Sequence, residues 1–373
     1  MPKLKNRTDR ISGLDGLRAI SIVLVIAFHL TFGRNVAWLG PIGGVLNYGF
    51  VGVTVFFVLS GYLITWLLLQ EEQLRGRIDL RAFYLRRAIR ILPPALAYLA
   101  VLSALSVAGV VTVSAGDITK ATLFVRNITS GPSETGHFWS LAVEEQFYLL
   151  WPAAFYWMSG YRYRLILTVG LVIAAPFWRQ VVFLLAGGAM HVNGWRFDLR
   201  YDALLTGCVL ALLRYDGRGI KVLNSGVFQN PAVPIISTAT VYTFTSLTMV
   251  PKPLYFLSAS ITHISIALVI NYVIEARGSW LVRLLNSTPL ATCGALSYSL
   301  YIWQQLFCVN PDGSTAWYKM FPMNFALTVA AAVLSYRLIE RPLAQYRKRL
   351  TVRHARVERQ PLVNLAQDYK ILT

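Results

Sequence analysis

The chain alternates long apolar runs with short polar connections. A membrane-spanning helix needs about 20 largely apolar residues, and ten runs approach that length: 17–36, 50–70, 91–111, 138–158, 164–186, 197–213, 232–250, 254–274, 287–307 and 320–340. The pattern predicts an all-α, polytopic membrane bundle of about ten transmembrane helices. The fourth and sixth runs carry charges, and Pro251-Lys252-Pro253 separates the seventh from the eighth. The first run follows a basic start, MPKLKNRTDR, as a signal peptide would. It is long, however, and no A-x-A-like site follows it, so it reads as a retained helix. No internal repeat is evident. The longest outer connection, 116–137, is rich in Gly, Ser and Thr; another, 187–196, holds Gly187-Gly188, His191 and Asn193-Gly194. The longest inner connection is 71–90. Residues 1–345 form the expected membrane domain and 346–373 a basic cytoplasmic tail, too short to fold alone without staples.

Composition agrees. Of 373 residues, 55% are hydrophobic and only 14% charged, with a mean hydropathy of +0.52. That leaves too little polar surface to cover a soluble domain. Charge then orients the bundle. With ten spans and a cytoplasmic N-terminus, 27 of the 35 Lys and Arg residues fall inside and 8 outside, as the positive-inside rule requires. An odd number of spans would put the basic tail outside. The net charge of +18 is thereby explained through orientation and attraction to anionic lipid head groups. Without an interleaved aromatic motif it does not point to nucleic acid. Cys208, Cys293 and Cys308 lie in or near apolar runs without metal-ligand spacing, which favours packing and predicts no metal. Asn127-Ile128-Thr129 and Asn286-Ser287-Thr288 match the glycosylation pattern, which chance often produces.

The chemistry sits where polar groups interrupt apolar runs. Arg18 and His29 are eleven positions apart, a rotation about 20° from three full turns, so both project from one helix face about 16 Å apart along the axis. That places Arg18 near the cytoplasmic edge and His29 near mid-bilayer. Ionisable groups in hydrocarbon are costly and normally face a bundle interior or a wet cavity, and an imidazole exchanges a proton near neutral pH. A core histidine bonded to a neighbouring helix has even odds against a functional one. In WSLAVEEQFYLLWP, residues 139–152, Glu144, Tyr148 and Trp151 share a face, and a carboxylate there could orient and charge-stabilise an imidazole; a snorkelling interfacial pair of glutamates is the plainer alternative. FYLRRAIRILPPAL, residues 83–96, sets Arg87 and Arg90 three apart, with Arg86 beside them. Guanidinium forks suit phosphate, although positive-inside charge also accounts for arginines here, Arg86 and Arg75 above all. In GWRFDLRYDALLTG, residues 194–207, Asp198 and Asp202 could share an arginine from elsewhere, and a structural ion-pair network is at least as good a reading as catalysis. Ser60-Gly61, inside FVGVTVFFVLSGYLIT, reads as a close helix contact; nothing local would activate the serine.

Taken in order, these stretches resemble the acyltransferase-3 family of multi-pass membrane acyltransferases. LDGLRAISIVLVIAFH carries the Arg, ten residues, His pattern at Arg18 and His29. FFVLSGYLIT is similar to the second-helix signature, and RRAIRILP holds the Arg-x-x-Arg pair Arg87 and Arg90. WSLAVEEQFYLLWP, RYDALLTG, YSLYIWQQ and YRLIERP complete the run, which spans roughly residues 11–345. One departure is Gln304, where the family often has histidine. The resemblance implies O-acyl transfer, usually of acetyl, from cytoplasmic acyl-CoA to a hydroxyl of a carbohydrate acceptor: a surface polysaccharide, a lipid-linked glycan or a glycosylated small molecule. It further implies His29 as the catalytic histidine, Arg18 as its partner, Glu144 in the active-site cluster and Arg87 and Arg90 in the coenzyme A site, to which neighbouring Arg86 is added. Acetyl-CoA is the expected co-substrate, membrane lipid and a glycan the expected partners, and the bacterial cytoplasmic (inner) membrane the expected location. Some relatives carry a C-terminal esterase-like domain, which this chain is expected to lack.

In the mechanism so implied, Arg87 and Arg90 hold the phosphates while the thioester reaches toward His29. His29 takes the hydroxyl proton as general base or carries the acetyl group itself, and Glu144 orients it. The rival is a transporter or flippase, since intramembrane His, Glu and Arg also mark substrate and proton paths; the missing repeat counts mildly against it.

Overall fold

The computed structural model describes residues 13–31, 48–129, 133–158, 160–186, 194–247, 255–310 and 314–346. The described residues are helical, with no strand among them. In chain order the helices are α1 (Leu14–Thr31), α2 (Val51–Arg75), α3 (Leu80–Val107), α4 (Ala115–Thr122), α5 (Phe138–Trp157), α6 (Tyr161–Leu185), α7 (Tyr201–Tyr215), α8 (Gly217–Leu223), α9 (Ala232–Leu247), α10 (Tyr255–Glu275), α11 (Trp280–Leu285), α12 (Thr288–Ala295), α13 (Ser297–Cys308) and α14 (Met323–Ser335). Each of the ten apolar runs falls on a helix or, for 287–307, on the pair α12 and α13. Six helices are long and apolar enough to cross a membrane: α1, α2, α3, α6, α10 and the one that runs from α14 to Tyr346. The other runs form helices that are shorter, broken or more polar, so a hydropathy count of ten is coarser than the architecture. Pro251-Lys252-Pro253, His191 and the tail beyond Tyr346 lie outside the described residues.

The centre of the bundle is α2 against α7, with α1 beside α2. Close approach is possible because the contact is glycine on backbone. A Cβ on Gly61 would lie 1.8 Å from the Leu204 carbonyl oxygen, and one on Gly207 would lie 2.0 Å from that of Val58. Small residues that let backbones meet drive association where lipid removes the usual hydrophobic advantage, so the expected packing role of Ser60-Gly61 is met by the glycine. Several charges inside the bundle are paired, which offsets their desolvation. Arg164 grips Glu72 with two bonds of 2.5 and 2.9 Å and lies 4.0 Å over the Phe155 ring. Arg214 binds Glu275 and, at 2.8 Å, Asn271.

Helix ends follow local rules. Asp79 caps α3, its Oδ1 accepting from Ala82 N at 3.0 Å. Gly76 ends α2 at φ 68°, the left-handed turn that glycine takes without strain. Pro93 and Pro94 lie inside α3 without ending it. After α14 the backbone widens into a π-helical turn, Tyr336–Glu340, which sets Glu340 against the Ser299 hydroxyl of α13. Asn127 is 1% exposed and exchanges paired amide bonds of 3.0 Å with Gln146, so its glycosylation pattern is a buried structural contact. The Asn286 side chain accepts from Gly13 N at 2.8 Å. The three cysteines form no disulfide among the described residues, and two of them are buried, which agrees with packing.

Candidate active site

Five helices converge on one cavity of about 200 Å³. α1 contributes Arg18, which pairs with Asp15 at 3.1 Å one turn earlier. α3 contributes Arg87 and Arg90; their three-residue spacing turns both inward, and Arg90 is the more exposed, at the mouth. The Arg87 guanidinium lies 4.9 Å over the Tyr148 ring and 5.8 Å over Phe83, which fixes its plane. α5 contributes Glu144 and Tyr148, and α2 contributes Ser60, whose hydroxyl donates to Glu144 Oε1 at 2.7 Å. On the α13 side the wall is Tyr298, bonded to the Ile91 carbonyl at 2.7 Å, and Tyr301.

Tyr301 also closes the inner end of the cavity. Its hydroxyl bonds that of Ser140 on α5, and both oxygens lie within reach of the His137 carbonyl, at 3.1 and 3.2 Å, so one hydroxyl donates to the other and the second to the carbonyl. His29 lies beyond this layer and does not line the cavity. Its ring lies beside the Gln304 side chain, packs 5.4 Å from the Phe28 ring and has His137 nearby. Gln304 follows Tyr301 by three residues on α13, close to one helical turn, so the two side chains fall on the same side of that helix. His137 is 3% exposed and stacks edge-on against Tyr98 at 5.2 Å.

Arg18, Arg87, Arg90 and Glu144 thus line one chamber, whereas His29, expected beside Arg18 and Glu144, is not among its lining residues. Two further expectations are revised. Glu144 holds Ser60 in place of His29, and the residue at His29 is Gln304, the position where the chain departs from the resemblance. Arg86 turns away from the chamber: one residue is about 100° of rotation, and its guanidinium pairs with Glu71 at 3.1 Å alongside Arg75 at 3.4 Å. Trp151, read on the Glu144 face, donates to Thr65 at 2.8 Å just outside. In the 194–207 stretch Asp198 and Asp202 do not share an arginine. Asp198 takes Arg196 and the Trp178 indole, each at 2.8 Å, whereas Asp202 takes Arg179 at 2.8 Å and His263 at 3.1 Å. Sequence reasoning missed Ser60 as a chamber residue, and His137, Tyr298 and Tyr301 altogether. Only the alternation of serine and tyrosine in SYSLY, 297–301, gave a sign of a polar helix face. Among the described residues no cluster of His, Cys, Asp and Glu could hold a metal.

Comparison with known proteins adds identity to geometry. A family model for acyltransferase-3, described as an acyltransferase domain, matches residues 11–338. The peptidoglycan O-acetyltransferase OatA of Listeria monocytogenes is 28% identical over 372 residues, covering 90% of this chain and 57% of the relative. The "Putative peptidoglycan O-acetyltransferase YrhL" of Bacillus subtilis is 29% identical, covering 89% of this chain and 55% of the relative. A "Putative O-acetyltransferase" of Staphylococcus aureus is 30% identical, with 89% and 57% covered. The chain spans a little over half the length of these relatives. No solved structure matches.

Proposed function

Since the chain belongs to the acyltransferase-3 family, we propose that it is a membrane O-acyltransferase that moves an acyl group, acetyl in the first instance, from cytoplasmic acyl-CoA to a carbohydrate hydroxyl. The printed names of the relatives, O-acetyltransferases and in two cases of peptidoglycan, support both the group and a glycan acceptor. The observation that carries the reading is the convergence of Arg18, Arg87 and Arg90 on one chamber with a carboxylate–hydroxyl pair.

Arg87 and Arg90 bind the donor's phosphates at the mouth by charge-assisted hydrogen bonds. Arg18, held by Asp15, lies deeper and supplies positive charge where the thioester carbonyl develops its oxyanion. His29 acts as general base on the acceptor hydroxyl, a role that suits a ring beyond the chamber better than direct attack on the thioester would. Both termini face the cytoplasm in this reading, at the cytoplasmic (inner) membrane, and the charge asymmetry supports it.

The test is transfer of labelled acetyl from acetyl-CoA to glycan by the purified protein in nanodiscs. Arg87→Ala and Arg90→Ala each raise KM for acetyl-CoA roughly 10-fold or more, in keeping with about 1.5–3 kcal/mol for a charged hydrogen bond. His29→Ala abolishes transfer with donor binding intact. Near-wild-type turnover by His29→Ala, or transfer indifferent to both arginines, would sink the reading. Impermeant labelling of a cysteine placed at each terminus reads the orientation.

A further inference from the structure

Ser60 is the residue that its own stretch of sequence leaves without a chemical role. The fold gives it one by bringing in Glu144 from 84 positions away, 2.7 Å from its hydroxyl. An alcohol is a weak nucleophile until a base is placed within hydrogen-bond reach, and the base works best when a third group fixes it. Each element is present. The Ser60 hydroxyl donates to Glu144 Oε1. Arg87, Arg90 and Arg18 are the cations around that carboxylate. The Tyr148 ring, one turn further along α5, lines the same chamber beside this pair. Ser60 and Glu144 both face the chamber, and His29 does not.

We propose that Ser60 is the nucleophile of the donor half-reaction and carries the acyl group as an ester, with Glu144 as its general base; the proposal rests on the chamber being the acyl-CoA site. Ser60 Oγ attacks the thioester carbonyl while its proton passes to Glu144. Arg18 and Arg87 face the oxyanion of the tetrahedral intermediate. The C–S bond then breaks, the proton moves from Glu144 to the departing sulfur, and coenzyme A leaves as the free thiol. What remains is an acyl ester on Ser60, with no oxidant or reductant required. In a second step the acceptor hydroxyl attacks the ester carbonyl, the bond to Ser60 Oγ breaks, and the acceptor's proton is relayed by the base to Ser60, which is restored as the hydroxyl, so donor and acceptor never need to occupy the chamber together. A structural reading, in which Ser60 merely satisfies a buried carboxylate, predicts the same hydrogen bond but no acyl group on residue 60.

The experiment needs no acceptor. Purified full-length protein in nanodiscs is given acetyl-CoA and isotopically labelled free coenzyme A, and label entering acetyl-CoA is followed. Wild type and His29→Ala both exchange, and Ser60→Ala lowers exchange at least 100-fold. Ser60→Cys keeps measurable exchange and accumulates a thioester on residue 60, which peptide mass spectrometry locates. Binding of acetyl-CoA to each variant is measured in parallel. Exchange lost in His29→Ala and kept in Ser60→Ala would overturn the proposal in favour of an acyl-imidazole. Wild-type binding without exchange would overturn it in favour of direct transfer, with the donor site standing. Absence of acetyl-CoA binding by wild type would remove the donor site itself, and the proposal with it.

Discussion

At the scale of single residues, the position that departs from the resemblance lies beside the ring of the proposed base in the fold: Gln304, fully buried on α13, next to His29. A carboxamide accepts a hydrogen bond from one imidazole nitrogen and so favours the tautomer whose other nitrogen is free to take a proton, and it adds no charge of its own. Gln304 is therefore a positioning residue. Gln304→Ala is expected to lower kcat by about 10-fold to 100-fold, the scale on which lost positioning acts, with KM for acetyl-CoA unchanged because the chamber lies on the other side of Tyr301. Gln304→His, which restores an acceptor at the same place, recovers most of the rate. An unaltered kcat in Gln304→Ala would refute the assignment. The pairs that sequence could supply at this scale are those on one helix. Arg18 with His29, and Arg87 with Arg90, follow from 100° per residue alone. Ser60 with Glu144, and His29 with Gln304, join separate helices, and no periodicity reports on them.

At the scale of elements, the apolar runs form helices where they are described because hydropathy and length are local quantities, but only six helices among the described residues are long and apolar enough to cross a membrane. Which face of a helix meets which neighbour is not local. Asp202 illustrates this: its face looked able to share an arginine with Asp198, yet α6 and α10 supply Arg179 and His263 to it alone. The α2–α7 crossing is set by Gly61 and Gly207, and it also fixes the depth of Ser60 one residue away. Gly61→Val is expected to push the helices apart, costing about 1–3 kcal/mol or more by overpacking, which a lower melting temperature in detergent would register. Gly170→Ala, on α6 with open space around the new Cβ, serves as the comparison and leaves it unchanged. Equal melting of the two variants would show that the crossing is not held by glycine. Breaking a buried ion pair such as Arg179 with Asp202 belongs to the same scale, since an orphaned charge costs about 3–5 kcal/mol.

At the scale of the whole molecule, the charge asymmetry, the inward-facing arginines and the closed far end of the chamber describe a body with one wet side in this state. The partition between that chamber and His29 is thin: the two hydroxyls of Ser140 and Tyr301, backed by His137. An unbroken file of water through a membrane protein would carry protons, and this layer of hydroxyls is expected to interrupt it. Shortening the layer by Tyr301→Ala should make proteoliposomes discharge an imposed pH difference several times faster than wild type, as a trapped fluorescent indicator would record. Equal leak rates would place the seal elsewhere.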